Sequence, residues 1–371
     1  MLNVMMDQRW LGPHGIGRYA TALAERLPSI RPLPLSGRPM APLDPLRSSW
    51  ALRKYKPDVY FTPGFNPPLW SPVPFVFCLH DLIHVHFTEE SDPLKTAYYR
   101  WIVRPAGLRA YRVVTDSQFS RDAILEWSGW PEERVVVVRL GVGRGFHPEG
   151  PRYEPGYPYL LHVGNAKPHK NRRRLLQAFA ASGLAAQCRL LLLGAPERDE
   201  VALATALGLR GDVLYAGLVP ESLLPDYYRG ATALVCPSLY EGFGLPALEA
   251  MACGTVVAAA RSTSLPEVLG DAAAYFNPLD VTDMARALAD VVSEGPLRAR
   301  LAQSGPRRAA GFSWETTAAE VWTILQDAAD SAAQRVLRMD GEAGARAPVA
   351  SGSAPPGADG TSPRTQPPHR C

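Results

Sequence analysis

Two glutamates, Glu241 and Glu249, stand with seven residues between them, around a Gly242-Phe243-Gly244 turn and Pro246. A strand-like run, Thr232 to Cys236, precedes them and a helix-like run, Pro246 to Cys253, follows. A glycine turn running into a helix that starts at a proline leaves backbone amides free, here those of Phe243, Gly244 and Leu245, and such amides hold anions. Two carboxylates beside an anion site make chemical sense if the ligand also carries hydroxyls, as a sugar phosphate does. Glu249, expected in the first helical turn, has a plainer use in stabilising the helix dipole, about 0.3–1 kcal/mol. Accepting from ribose hydroxyls is about 1.5–3 kcal/mol per charged hydrogen bond. Glu241 falls in the loop before the helix, too early to serve the dipole, so its presence there points to a ligand.

Further groups could complete such a site. His162 to Asn171 contains Gly164, Lys167 and Lys170 just before a helix, and an ammonium beside a helix N-terminus attracts anions. Lys170 is the nearer, with Lys167 as a second contact. Arg172, Arg173 and Arg174 read as a solvated helix face. His80, after a strand-like run, can meet a sugar hydroxyl, with Asp81 fixing the loop or the ring; a structural pair is the other reading. His84 and His86 lack a third ligand, so no metal is expected. Gly15-Ile16-Gly17-Arg18-Tyr19-Ala20 fits the dinucleotide fingerprint formally, but the loop before it is too long and no acid follows at the required distance. Gly15 and Gly17 then read as a helix N-terminus that a phosphate or sugar can approach closely, or as a loop needing glycine.

These residues need a scaffold. Short apolar runs bounded by Pro and Gly recur: Leu2–Met6, Val59–Phe61, Phe75–Leu79, Arg112–Thr115 and Arg134–Val138, then Tyr159–Val163, Leu190–Leu193, Val213–Tyr215, Ala233–Val235 and Thr255–Ala258. Helical spacing lies between them, at Ile16–Leu27, Leu94–Ala110, Ser120–Trp127 and Asn171–Ala181. Alternation of this kind predicts two parallel sheets covered by helices, with ligands at the strand C-termini. Pro28–Pro45 shows weak periodicity. A Gly/Pro-dense stretch, Gly141–Pro158, marks the expected boundary between a domain over 1–150 and another over 158–312. A last helix is expected over 313–338. From 341 to 371 the composition turns to Pro, Gly, Ala and Ser, which predicts disorder.

At 371 residues, with 46% hydrophobic residues and a net charge of +3, the chain fits a two-domain globular protein and gives no support to nucleic-acid binding. Its five scattered cysteines read as reduced thiols of a cytosolic protein, Cys78, Cys188, Cys236 and Cys253 in cores. Met1–Met6 lacks the basic region of a signal peptide, and no apolar run reaches the roughly 20 residues of a membrane span. Tyr98–Arg104 mixes aromatic and basic residues as interfacial helices do, which would suit peripheral contact with the inner face of a membrane; packing on its own sheet is the other use.

Taken in order, these segments resemble the retaining GT-B glycosyltransferases grouped as family 4, whose E-x7-E element is here Glu241 to Glu249. Pro57-Asp58-Val59, His80-Asp81-Leu82, Asp116-Ser117-Gln118-Phe119-Ser120, Ser264-Leu265-Pro266-Glu267-Val268 and Gly270-Asp271-Ala272-Ala273 add to the resemblance, which runs from residue 1 to about 330. It implies an α/β GT-B fold: two Rossmann-like, doubly wound parallel-sheet domains facing across a cleft. The first would bind the acceptor, the second the nucleotide sugar, and the last helix would pack back on the first. Glu249 would then bind the ribose, Lys170 the diphosphate, Glu241 with Phe243 and Gly244 the donor sugar, Gly15 or Gly17 the phosphate, and His80 the sugar. Asn165 or Ala166 stands where the family commonly has an arginine, placing more of the diphosphate charge on Lys170 and Lys167. Val256, Arg139 and Gly143 also depart from the family pattern, and Pro28–Pro57 is short, which implies a reduced acceptor side.

The implied activity is hexosyl transfer, mannosyl- or glucosyl-type, from a UDP-, GDP- or ADP-sugar to a lipid-linked, saccharide or small-molecule acceptor, in the cytoplasm. No D-x-D element is present, so no metal and no cofactor are expected, and the resemblance implies retention with the leaving phosphate taking the acceptor's proton. An epimerase or hydrolase on the same fold, or a non-catalytic sugar-binding subunit, are the alternatives.

Overall fold

A computed structural model describes residues 2–87 and 92–344, with the side chains of 335–344 excepted. Among the described residues, those up to Asp330 form one compact unit that contains both sheets, and those from Ser331 on are divided from it.

The first sheet has six parallel strands in the order β2-β1-β3-β4-β5-β6: β1 (Val4–Met6), β2 (Ile30–Pro32), β3 (Val59–Thr62), β4 (Phe75–Cys78), β5 (Arg112–Thr115) and β6 (Val135–Val137). The second, also parallel, runs β12-β11-β10-β7-β8-β9: β7 (Tyr159–Val163), β8 (Arg189–Leu193), β9 (Val213–Gly217), β10 (Ala233–Cys236), β11 (Val257–Ala260) and β12 (Ala274–Phe276). Central strands such as Phe75–Cys78 and Ala233–Cys236 are buried along their length, which is why they read as unbroken apolar runs. Strand order reverses between β1 and β3 in one sheet and between β7 and β10 in the other. Crevices open at such reversals, beyond the strand C-termini.

Helices that position the site are α1 (Gly15–Arg26), α2 (Asp44–Tyr55), α3 (Gln118–Ser128), α4 (Arg172–Ser182), α5 (Leu245–Ala252), α6 (Leu265–Leu269) and α7 (Trp314–Gly344). Among the described residues no helix is long and apolar enough to cross a membrane.

The structure departs from the sequence reading in several places. The Pro-rich stretch holds β2 and the start of α2. Proline is tolerated in β2 because that strand sits at the sheet edge, and Pro45 lies in the first turn of α2, where no N–H is needed. Leu94–Ala110 is not one α-helix: a π-turn at Tyr99–Val103 separates Pro93–Tyr98 from Arg104–Arg109, next to Pro105, which lacks an N–H for the ladder. β11 starts at Val257, two residues late, and α7 runs on to Gly344 rather than ending at 338. The expectation of disorder from 341 falls, beyond Gly344, outside the described residues.

No named strand lies between Val137 and Tyr159 among the described residues. The connector there clasps the start of α7. Val142 N donates to Phe312 O at 3.2 Å, Thr317 Oγ1 donates to Arg139 O at 2.7 Å, and Gly141 lies so close that a Cβ would be 2.1 Å from Trp314 N. Trp314 packs on Tyr19 of α1, ring centroids 6.3 Å apart.

Candidate active site

The reversal between β7 and β10 gathers two of the expected residues. Lys170 follows β7, Glu241 follows β10, and Lys170 Nζ lies 2.7 Å from Glu241 Oε1. Ser238 Oγ donates to the same oxygen at 2.6 Å. Burial opposes charge on both groups, yet each holds the other ionised: Glu241 sits below the usual carboxylate range and Lys170 above the usual amine range. Backbone contacts fix the Glu241 peptide. Its N–H donates to Thr263 Oγ1 at 3.0 Å and its carbonyl accepts from Ser264 Oγ at 2.8 Å. Thr263 achieves this with φ 52°, a left-handed conformation that strains a β-branched residue.

The turn beyond Glu241 is crowded by design of its sequence. A Cβ on Gly242 would be 2.8 Å from His80 O, and one on Gly244, at φ 94°, would be 2.5 Å from Leu265 Cδ2. Gly242 O accepts from Ser117 Oγ at 2.7 Å and Ser120 Oγ at 3.2 Å. Phe243 is buried edge-on against Phe312. Among the described residues no protein group accepts from the amides of Phe243, Gly244 or Leu245, which open α5. From the second half, Glu267 on α6 accepts from the amides of Gln118 and Phe119 at 3.0 and 3.1 Å, capping α3 of the first half.

Glu249 is the fifth residue of α5, so it lies past the first turn and the dipole reading loses its force. It is fully buried. Tyr228 Oη donates to its Oε2 at 3.1 Å, and the Arg18 guanidinium of α1 pairs with its Oε1. Burial raises the acid's pKa more than Arg18 lowers it. Arg18 Nε also pairs with Glu221 Oε1 at 2.7 Å, and its guanidinium stands 5.7 Å from the centroid of Phe146. Sequence reasoning passed over Arg18, Tyr228, Ser238, Thr263 and Asp116. Arg18 carried a signal in standing directly after Gly15-Ile16-Gly17, and Asp116 in opening the Asp116–Ser120 segment of the family resemblance; the others carried none.

His80 is tied down on both nitrogens. Nδ1 is 2.8 Å from Asp116 Oδ2 and Nε2 is 2.9 Å from Pro63 O, with Tyr19 edge-on at 5.0 Å. Burial favours the neutral ring, but Asp116 and the Pro63 carbonyl outweigh it and push the pKa up to about 9. The ring's partner is Asp116, not Asp81, which instead accepts from Ile83 N at 3.0 Å.

The two glycines of α1 differ. A Cβ on Gly15 would meet open space, whereas one on Gly17 would be 2.2 Å from Gly12 O. His14 Nδ1 accepts from Gly17 N at 3.0 Å and caps the helix. Lys167 is exposed and lines a cavity of about 510 Å³ with Arg173, Arg174, Glu197 and Asp199. Arg172 corrects the reading of a solvated face: it is buried, 3.0 Å from Glu200 Oε2, and stands over Tyr215. Cys78, Cys188, Cys236 and Cys253 are free and buried.

Such a site, between two doubly wound sheets, is matched by known proteins. The profile for glycosyl transferases group 1 matches residues 146–308, and that for glycosyltransferase family 4 matches residues 10–144. O-antigen chain mannosyltransferase B of Escherichia coli is 33% identical over 287 residues, covering 74% of this chain and 75% of that one. The D-inositol 3-phosphate glycosyltransferase of Acidothermus cellulolyticus is 29% identical over 280 residues, 69% of this chain and 62% of the other. Serotype-specific mannosyltransferase WbdA of Escherichia coli is 30% identical over 227 residues, and the match spans only 28% of that longer protein. Among solved structures, Anabaena Alr3699/HepE in complex with UDP and glucose superposes with a TM-score of 0.72 at 18% identity, over 88% of this chain and all of that one. The chain belongs to the family 4, group 1 glycosyltransferases and has their GT-B fold. It is an enzyme that transfers a glycosyl group from a nucleotide sugar.

Proposed function

We propose that this enzyme moves a hexosyl group, mannosyl in preference to glucosyl, from a nucleoside diphosphate sugar to a saccharide or lipid-linked acceptor, with retention and without a metal. The mannosyl preference is supported by the Escherichia coli relatives, which are mannosyltransferases. The observation that carries the reading is the Lys170–Glu241 pair at the β7/β10 reversal, beside the open amides of Phe243, Gly244 and Leu245 and one turn from Glu249.

In this reading Glu249 accepts from the ribose hydroxyls. The three amides and Lys170 take the diphosphate, with Lys167 as an outer contact and Gly15 allowing close approach. Glu241, held ionised, accepts from the donor sugar. Preorganised amides and an ammonium stabilise charge developing on the departing diphosphate, and the anomeric carbon passes through an oxocarbenium-like state. The leaving phosphate takes the acceptor's proton, so no protein base is required. His80, with both nitrogens committed, sets the position of the segment against Gly242 and contributes positive charge near the sugar. Gly17 shapes the turn. The acceptor binds to the first half, and the reaction takes place in the cytoplasm at the inner membrane face.

A thermal-shift panel of UDP, GDP and ADP with their mannose and glucose conjugates tests this directly, since a ligand selective for the native state raises the melting temperature by mass action. GDP- or UDP-mannose is expected to give the largest shift. No shift with any of the six sugars overturns the reading.

A further inference from the structure

Glu249 is the carboxylate assigned to the donor's ribose, yet it already has a charged partner within the protein. Its partner comes from the other half of the molecule: Arg18 of α1, whose side chain is 17% exposed against 1% for Glu249. The same guanidinium reaches Glu221 through Nε and lies near Phe146. We propose that Arg18 pairs with Glu249 and, once a ribose takes that carboxylate, turns to the donor's diphosphate as a second cationic ligand. The proposal rests on the assignment of Glu249 to the ribose.

Charge balance argues for it. The loop Gly164–Asn171 offers Lys167 and Lys170, and Lys170 is committed to Glu241. Arg18 is committed to Glu249 and Glu221. A diphosphate entering beside these groups adds negative charge to a set in which two cations, Lys170 and Arg18, already face three carboxylates, Glu241, Glu249 and Glu221. Ribose hydroxyls donating to Glu249 satisfy that carboxylate by hydrogen bonds and release one cation for the phosphates.

Reach and chemistry also agree. One helical turn, about 5.4 Å, separates Glu249 from the amides that open α5, a span within the sweep of an arginine side chain. A guanidinium presents a planar fork that suits phosphate oxygens as well as carboxylates. Arg18 follows Gly17, whose amide is capped by His14, so the backbone that launches it is fixed. The Arg18 side chain is partly exposed.

The test compares nucleosides with their diphosphates. Calorimetry on the full chain would measure uridine, guanosine, adenosine, UDP, GDP and ADP binding to the wild type, Arg18→Gln and Arg18→Lys. Arg18→Gln is expected to weaken the diphosphate that the wild type binds roughly tenfold or more. The matching nucleoside should bind as well as before or more tightly, because its competitor for Glu249 is gone. Arg18→Lys, with charge but no fork, should fall between. Equal loss of nucleoside and diphosphate, or no loss of either, overturns the proposal and leaves the donor assignment standing. Failure of the wild type to bind any of the six overturns the donor assignment and the proposal together. If Arg18→Gln does not fold, Arg18→Lys decides: unchanged diphosphate affinity there overturns it.

Discussion

Glu241 and Glu249 are both buried, and their surroundings push them in opposite directions. Lys170 keeps Glu241 ionised, whereas burial lifts Glu249 despite Arg18. Replacing Glu249 by Ala should weaken nucleotide-sugar binding at least about tenfold, the worth of a charged hydrogen bond; unchanged affinity by calorimetry would sink the ribose assignment. Glu241→Ala should leave donor affinity nearly intact and lower turnover, read as kcat against KM. Lys170→Ala should also destabilise the fold by about 3–5 kcal/mol, because it strands a buried carboxylate; the double variant Lys170→Ala/Glu241→Ala should recover much of that in urea unfolding. His80 gives a pH signature. Its folded pKa, about 9, exceeds the ordinary value of 6.5, so its pairing with Asp116 stabilises fully below pH 6.5 and that contribution fades as pH rises through 9. On the order of 3 kcal/mol should be lost across that window, and His80→Gln should flatten the dependence. An equally steep profile in the variant refutes the assignment.

At the scale of elements, the helix that faces the cleft starts on two glycines with different tasks. Gly17→Ala drives a Cβ into the Gly12 carbonyl and should lower the melting temperature by several degrees, about 1–3 kcal/mol for forced overpacking. Gly15→Ala meets open space and should leave the melting temperature unchanged while weakening the donor diphosphate. The sequence showed both glycines but could not separate them, because the contact that distinguishes them lies in the fold of the Gly12–Gly17 turn. Helices with strong periodicity and strands of unbroken apolar residues were legible from spacing alone. Elements that begin at prolines inside a Pro-rich stretch, β2 and α2, were not, since periodicity is masked there and only the position of Pro45 hints at a helix start.

For the whole molecule, what spacing showed was each half separately. Glu241, Glu249 and Lys170 stand out by type and position within the second half. The partners that complete the site, Arg18 to Glu249 and Ser117 to Gly242, join residues far apart in sequence and on opposite halves, and no local pattern encodes them. Strand–helix alternation predicted the two sheets, and the resemblance to a family agreed with it, before any of these contacts could be inferred. One such contact has a further consequence. The carbonyl of Gly242, in the loop assigned to the donor sugar, is held by two serines at the start of α3, and α3 is in turn capped by Glu267. If the halves part, that loop loses its anchors. An activated sugar is then exposed to solvent only while the machinery that would cleave it is disassembled, a built-in guard against squandering donor on water. Ser117→Ala/Ser120→Ala enzyme should therefore lose donor hydrolysis and donor transfer together, measured as free hexose and glycosylated product; unchanged rates of both would show that the serines do not assemble the loop.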